Sequence, residues 1–268
     1  MARKTFSDIL NDISFDVVSE YDTLHRIVYE PRSFYSSSCL IAFAENDFLG
    51  LPFRGSCISL HSFNERFGFD FEERHYCSDF DYFLAFCEYA YNLAYALESI
   101  EPFESRYFLL ILDHIRKVLS DVNYGPHRLD DLFIFVDEQP EIVEAAAVAP
   151  EGIGPRLYEY HHHSLDGDID SKRKILVELA SRLEPKRDDL KSASSKLESS
   201  LFFAFNNINI RHNNIAEGTK GYRAVISTMS DSELEQWYDR TYRMCLEAFL
   251  ALERSGFSED IDNLKNDR

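Results

Sequence analysis

The chain has 268 residues and a formal net charge of −19 at pH 7, with 47 acidic and 28 basic side chains. Its length suits one large domain or two small ones, and 22 Phe and 15 Tyr provide enough apolar surface for a sizeable core. The overall negative charge opposes polyanion binding across the surface as a whole, and no apolar run is long enough to cross a bilayer.

The cysteine pattern indicates a reducing compartment. The five cysteines are an odd number without a Cys-x-x-Cys pair, which is typical of buried thiols in a cytoplasmic protein. The basic start at Arg3 and Lys4 is not followed by an apolar stretch, so we expect no secretory signal peptide and no membrane partner. The sequence also lacks a phosphate-binding glycine loop and a dinucleotide fingerprint, so we expect no cofactor.

The first half of the chain shows mainly helical spacing. Short helices are predicted over residues 5–30, and a longer helix is predicted after Ser78, its expected N-cap. The aromatic stripe of that helix, from Phe80 to Leu97, is typical of a core rather than of a platform for stacking bases. A further amphipathic helix is predicted over residues 104–120.

A strand and a linker are predicted in the middle of the chain. The apolar run Leu132–Val136 predicts a strand, which could pair with His127–Leu129 in a small hairpin. Two prolines and two glycines within residues 150–155 predict a linker. We therefore expect a mixed, mostly helical domain over residues 1–150 and a helical domain over residues 155–268. The predicted fold class is mainly α, with helical bundles and a small β-hairpin or short sheet in the middle of the chain.

Further helices are predicted in the second half. Helical patterns cover residues 172–185 and 190–210. The motif Ser230-Asp231-Ser232-Glu233 is a capping box, and the apolar pattern behind it predicts a long amphipathic helix that includes Trp237 and reaches Leu252.

Residues able to perform chemistry are concentrated at 205–214, where five asparagines accompany an arginine and a histidine. A metal-independent ribonuclease needs a proton carrier near neutral pH and a fixed cation for phosphorane charge. In a catalytic interpretation Arg211 binds phosphate and His212 moves protons, while three amides orient the substrate: Asn207, Asn213 and Asn214. In a structural interpretation, the same residue types cap a helix C-terminus and complement its dipole.

The segment from Lys172 to Arg223 is basic, in contrast to the rest of the chain. It contains eleven Lys or Arg and six Asp or Glu, a net charge of +5, which leaves −24 on the remaining residues. The predicted RNA contacts in it are Lys172, Arg173, Lys186, Arg187, Lys220 and Arg223. Most of these could instead be the solvated faces of amphipathic helices.

A metal site is only a weak alternative. Imidazoles and carboxylates occur together at His161, His163, Asp166 and Asp168, and these are suitable ligand types. The aspartate spacing lacks the glycine and the final glutamate of a calcium-binding loop. We therefore predict no bound metal.

The second half resembles the C-terminal helical domain of bacterial abortive-infection-type proteins, which is similar to the HEPN superfamily. The resemblance covers about residues 158–252 and lies in residues 160–168, 174–176, 183–185 and 206–213. It implies a helical bundle, frequent homodimers, and RNA cleavage or nucleotide transfer in defence against phage. HEPN ribonucleases carry an arginine, then four to six residues, then a histidine, whereas here Arg211 and His212 are adjacent.

Two functional hypotheses follow. In the first, the protein is a component of antiphage defence that either binds RNA or cleaves it as a metal-independent endoribonuclease, and it forms a homodimer. In the second, it is a non-catalytic interaction or regulatory module. Its acidic N-terminal half then binds a protein partner, and the cluster around Arg211 and His212 is structural.

Overall fold

The computed structural model describes residues 15–31 and 39–266, and the chain divides into two compact units, residues 1–135 and 136–268. The first part of the helical segment predicted over residues 5–30 lies outside the described residues. The chain is mainly helical with a two-stranded antiparallel sheet in the middle, so the predicted fold class is confirmed. No helix in the described part of the chain is both long and apolar enough to cross a membrane.

Unit 1 is built around one long helix. Its helices are α1 (Val17–Tyr29), α2 (Leu40–Asn46), α3 (Leu60–Phe67), α4 (Phe80–Ile100) and α5 (Ser105–Ser120). Helix α4 packs against α1, α2 and α5 and buries most of its predicted aromatic stripe, as expected for a core element. Its N-cap is Asp79 rather than Ser78. The Asp79 carboxylate accepts hydrogen bonds from two backbone N–H groups and its charge also suits the helix dipole.

The predicted hairpin consists of β1 (Tyr124–Leu129) and β2 (Leu132–Asp137). The turn between the strands places Asp130 at a φ of 53°. Asn92 of α4 holds the hairpin, because its side chain donates to the carbonyl of Phe133 and accepts from the N–H of Phe133, both at 2.8 Å. The ring of Phe133 also packs edge-on against Tyr91. The hairpin is therefore fixed to α4 by both polar and aromatic contacts.

Unit 2 is a helical bundle around its last helix. Its helices are α6 (Pro140–Val148), α7 (Gly154–Tyr160), α8 (Ile169–Leu183), α9 (Arg187–Ala193), α10 (Ser195–Asn207), α11 (Ala224–Ser227) and α12 (Asp231–Asn266). Short 3₁₀ turns occur in the chain at Phe48–Gly50, Pro102–Glu104, His163–Leu165 and Glu184–Lys186. Helix α12 packs against α6, α8, α9 and α10, and Leu252 is the last of its described side chains that packs against the core.

The predicted capping box at the start of α12 is confirmed. The Glu233 carboxylate accepts from the N–H of Ser230 at 2.9 Å, and the N–H of Glu233 donates to the Ser230 hydroxyl at 3.3 Å. These reciprocal bonds satisfy donors that the first helical turn leaves unpaired.

The division between the units falls within β2, earlier in the chain than the predicted linker at residues 150–155. Ile142 and Ala145 of α6 are buried in the core of unit 2, and α6 packs against α7 and α12. The proline and glycine residues therefore mark a tight turn inside unit 2. Gly152 has a φ of 81° there, which disfavours other residues.

Candidate functional site

The asparagine-rich segment forms a loop that closes on itself after α10. Helix α10 ends at Asn207, and Asn209 turns the chain with a φ of 52°. The N–H of Asn209 donates to Oδ1 of Asn214 at 2.8 Å, and the N–H of Asn214 donates to Oδ1 of Asn209 at 3.3 Å. This reciprocal pair fixes the first half of the loop.

The three asparagines predicted to orient a substrate have structural partners. Asn214 is 1% exposed, and its amide donates to the carbonyls of Asn206 and Gly221 at 3.3 and 2.6 Å. Oδ1 of Asn213 accepts from the two backbone N–H groups at 215 and 216. Oδ1 of Asn207 accepts from the guanidinium of Arg223. These amides fix the backbone of the loop, which is a structural role.

Arg211 and His212 have different environments despite being adjacent. The guanidinium of Arg211 forms an ion pair with the carboxylate of Glu184, at the end of α8. The imidazole of His212 is exposed and has no hydrogen-bond partner among the described residues. The loop therefore presents an imidazole to solvent, whereas the neighbouring guanidinium is paired with a carboxylate.

Lys172, a predicted RNA contact, is buried inside unit 2. Its Nζ lies 2.7 Å from Oε1 of Glu235 and 3.1 Å from Oδ1 of Asp239, and Tyr160 donates to the same Asp239 oxygen at 3.0 Å. Burial alone would lower the pKa of Lys172, but the hydrogen bonds to both carboxylates outweigh burial and raise that pKa. Lys172 is therefore an internal cation, not an RNA contact on the surface.

The other predicted RNA contacts fall into two groups. Nε of Arg187 lies 2.6 Å from the carboxylate of Glu198, the Nζ of Lys186 lies 3.3 Å from Asp189, and Arg173 donates to the carbonyl of Asn209. In contrast, Lys220 and Arg223 are exposed, and neither has a carboxylate partner in the described part of the chain.

The residues of the weak metal alternative have separate roles in the structure. Asp168 caps α8 by accepting from the N–H of Ser171 at 3.0 Å, and the ring of His161 lies 2.9 Å from the amide of Gln139. The ligand atoms of His161, His163, Asp166 and Asp168 do not together form a group that could hold an ion, as far as the described residues show. Burial lowers the pKa of His161, and the carboxylates of Asp137 and Asp166 only partly offset that effect.

A groove of about 940 Å³ lies between α10 and α12. Its apolar lining includes three aromatic side chains that are partly open to solvent: Phe203 is 58% exposed, Trp237 37% and Tyr222 36%. Asn207 and Arg223 line it as well, so two of the predicted site residues meet here. A smaller hollow of about 300 Å³ is lined by Arg173 and Asn213, so the predicted site residues do not share one cleft.

Two guanidinium groups of the groove rest on aromatic rings. The Arg223 Cζ lies 5.7 Å from the centroid of Phe203, and the Arg240 Cζ lies 5.1 Å from the centroid of Trp237. Neither arginine forms an ion pair with another described residue. The groove, referred to below as the α10–α12 groove, therefore combines open aromatic surface with cations that keep their charge.

Sequence reasoning missed Phe203, Trp237 and Arg240 as site residues. Trp237 fits the apolar stripe of α12, so the pattern predicts a core residue. Phe203 stands beside the buried pair Phe202 and Phe205 and off the stripe that they form. A large aromatic residue off the stripe is the sequence signal that could have indicated an open groove.

Comparison with known proteins adds no relatives. No protein-family model, curated protein or solved structure matches the chain.

Proposed function

We propose that unit 2 binds single-stranded RNA at the loop after α10, and that the protein acts in bacterial antiphage defence in the cytoplasm. The observation that supports RNA binding most directly is the exposure of unneutralised cations on this loop. Lys220 and Arg223 are exposed without a carboxylate partner among the described residues, in a chain whose net charge is −19. Such cations attract a phosphate backbone and release its counterions.

The defence role, the cytoplasmic location and a homodimer rest on the resemblance to abortive-infection-type proteins. RNA is the class of substrate that this resemblance implies. The basic segment of unit 2 supports the same choice independently, because it carries +5 within an acidic chain.

The geometry favours RNA binding over RNA cleavage. Arg211 is neutralised by Glu184, and the amide of Asn214 is used inside the loop. Of the five predicted catalytic residues, only His212 presents its functional group to solvent without a partner among the described residues. An endoribonuclease would need a second, charged group beside it to stabilise the phosphorane.

RNA binding can be tested with two matched double variants. We expect Lys220→Gln with Arg223→Gln to weaken binding of a fluorescent single-stranded oligonucleotide, measured by anisotropy at several salt concentrations. Removing two phosphate contacts should make the slope of log K against log salt shallower by about 1.4. Lys174→Gln with Lys191→Gln removes the same charge from α8 and α9, at exposed positions that are not predicted RNA contacts, and should change neither quantity. Equal effects of both pairs would refute a specific RNA face.

Cleavage is tested separately with His212→Ala. We expect RNA integrity in cells expressing this variant to equal that in cells expressing the unchanged chain. Loss of RNA cleavage at an unchanged melting temperature would instead support the endoribonuclease hypothesis.

The non-catalytic interaction module is a second candidate. It is favoured by the structural use of Arg211, Asn207 and Asn214 in shaping the loop. A protein partner for the acidic N-terminal half rests on charge alone. Pull-down with unit 1 charge variants would test it independently of RNA.

A further inference from the structure

We infer that the α10–α12 groove is a nucleobase pocket, in which a base lies against the exposed aromatic side chains and its phosphate meets Arg223 and Arg240. The inference rests on the proposed function and specifies which part of an RNA strand enters unit 2. A free nucleotide presents the same chemistry, and the experiment below separates the two sources.

Open aromatic surface is the first observation. Phe203, Tyr222 and Trp237 line one groove, and each is more than one-third exposed. Single exposed apolar residues are ordinary, but three aromatic residues lining one concave surface mark a binding site. The volume of about 940 Å³ lies within the range of small-molecule sites. Bases stack on such rings regardless of their identity.

Retained positive charge is the second observation. The guanidinium of Arg223 is oriented by Oδ1 of Asn207 and by the ring of Phe203, and its backbone N–H donates to the carbonyl of Asn214 at 2.9 Å. Arg240 rests on Trp237. Because neutral partners hold both cations, their charge remains available to an anion.

The same charges argue against other occupants. An apolar peptide helix would leave Arg223 and Arg240 desolvated without an anion, which is strongly unfavourable. A second copy of this chain docked groove to groove across a two-fold axis would enclose the arginines of both copies, and the described residues that line the groove include no carboxylate to pair with them. A flat aromatic group that carries a phosphate satisfies both the rings and the cations.

Trp237 makes the test direct, because it is the only tryptophan in the chain and it lines the groove. Its fluorescence would be followed during titration with adenosine monophosphate, with ribose 5-phosphate and with a short oligoadenylate. We expect saturable quenching by both ligands that carry a base and none by ribose 5-phosphate. A lower dissociation constant for the oligonucleotide than for adenosine monophosphate would identify an RNA strand as the source. Equal dissociation constants would identify a free nucleotide.

Variants of the groove complete the test. Phe203→Ala and Arg240→Gln should each raise the dissociation constant measured by quenching by about tenfold. Arg243→Gln is the matched control, because Arg243 is exposed on α12 but does not line the groove. Melting curves of all three variants should match that of the unchanged chain.

Several outcomes would overturn the inference. These are no quenching by either base-carrying ligand, equal quenching by ribose 5-phosphate, quenching by an apolar dye alone, and a tryptophan signal that depends on protein concentration. If RNA binding is lost with Lys220→Gln and Arg223→Gln but is unaffected by Phe203→Ala, the pocket is wrong and the proposed RNA face stands. If adenosine monophosphate binds and RNA does not, the reverse holds.

Discussion

Asn213 and Asn214 are neighbours with the same side chain and opposite environments. The amide of Asn214 is buried and acts as both donor and acceptor, with its NH₂ group directed at the carbonyls of Asn206 and Gly221. The side chain of Asn213 is exposed and acts as an acceptor for two backbone N–H groups. A change from amide to carboxylate should therefore be harmful at position 214 and tolerated at position 213.

We predict that Asn214→Asp destabilises the fold and that Asn213→Asp does not. At position 214 the carboxylate would place an acceptor against two carbonyl oxygens and bury a charge, which should lower the free energy of unfolding by about 3 kcal/mol. At position 213 the carboxylate can still accept both hydrogen bonds. Urea unfolding of both variants measures the difference, and equal losses of stability would contradict this role of the loop.

At this scale the sequence indicates where the polar cluster lies but not what each member does. The asparagines, arginine and histidine at residues 205–214 predict a structured loop after a helix. The partner of Arg211 is Glu184, which is 27 residues earlier, and the amide of Asn214 meets Gly221 across the loop. Such long-range partners depend on tertiary packing, which local patterns do not describe. For that reason the sequence does not predict that Arg211 is paired with Glu184 or that Lys172 is buried as an internal cation.

Helix periodicity predicted most of the elements. Helices α4, α5, α8 and α12 and the hairpin fall where apolar spacing places them, because each buries one face in a core. The single helix predicted over residues 190–210 is instead divided at Ser194 into α9 and α10. The pattern does not show which part of a helix remains uncovered. The α10–α12 groove exists because the two helices leave Phe203 and Trp237 partly open, which is a property of the pair rather than of either element.

The docking of the hairpin onto α4 leads to a prediction about Asn92. We expect Asn92→Ala to remove both hydrogen bonds to the backbone of Phe133 and to lower stability by about 2 kcal/mol. Hydrogen exchange at the Phe133 amide should accelerate more than at the Phe135 amide, because Phe135 donates to Glu88 instead. Equal acceleration at the two amides would show that the hairpin opens as a whole and that Asn92 does not hold it locally.

On the scale of the whole molecule, the two units differ in charge, and each contains a histidine with a shifted pKa. The basic segment lies entirely within unit 2, so any attraction for RNA is local in an otherwise acidic protein. Each unit also contains a histidine whose pKa is lowered, chiefly by burial: His25 in unit 1 and His161 in unit 2. Burial disfavours the charged imidazole, so both are neutral in the folded chain near neutral pH.

Stability should therefore fall as the solution is acidified from pH 7.5 to 5.5. Below the ordinary histidine pKa of about 6.5 the unfolded chain binds protons that the folded chain does not, so the folded state is fully favoured above that pH and loses stability below it. His161→Asn should reduce the pH dependence of the urea midpoint, because it removes an imidazole whose pKa is lowered by burial. Parallel pH profiles for this variant and the unchanged chain would rule out this effect of His161.

The length of α12 has a consequence for spectroscopy. The helix has 36 residues; Leu252 is the last of its described side chains that packs against the core, and residues 253, 254 and 256–258 are exposed. This exposed stretch depends on local propensity more than on packing and weakens gradually on warming, and Gly256 reduces its propensity further. The far-ultraviolet circular dichroism of this protein will therefore decline along a sloping baseline before the cooperative melt. That slope reflects fraying of one helix and is not evidence for a folding intermediate.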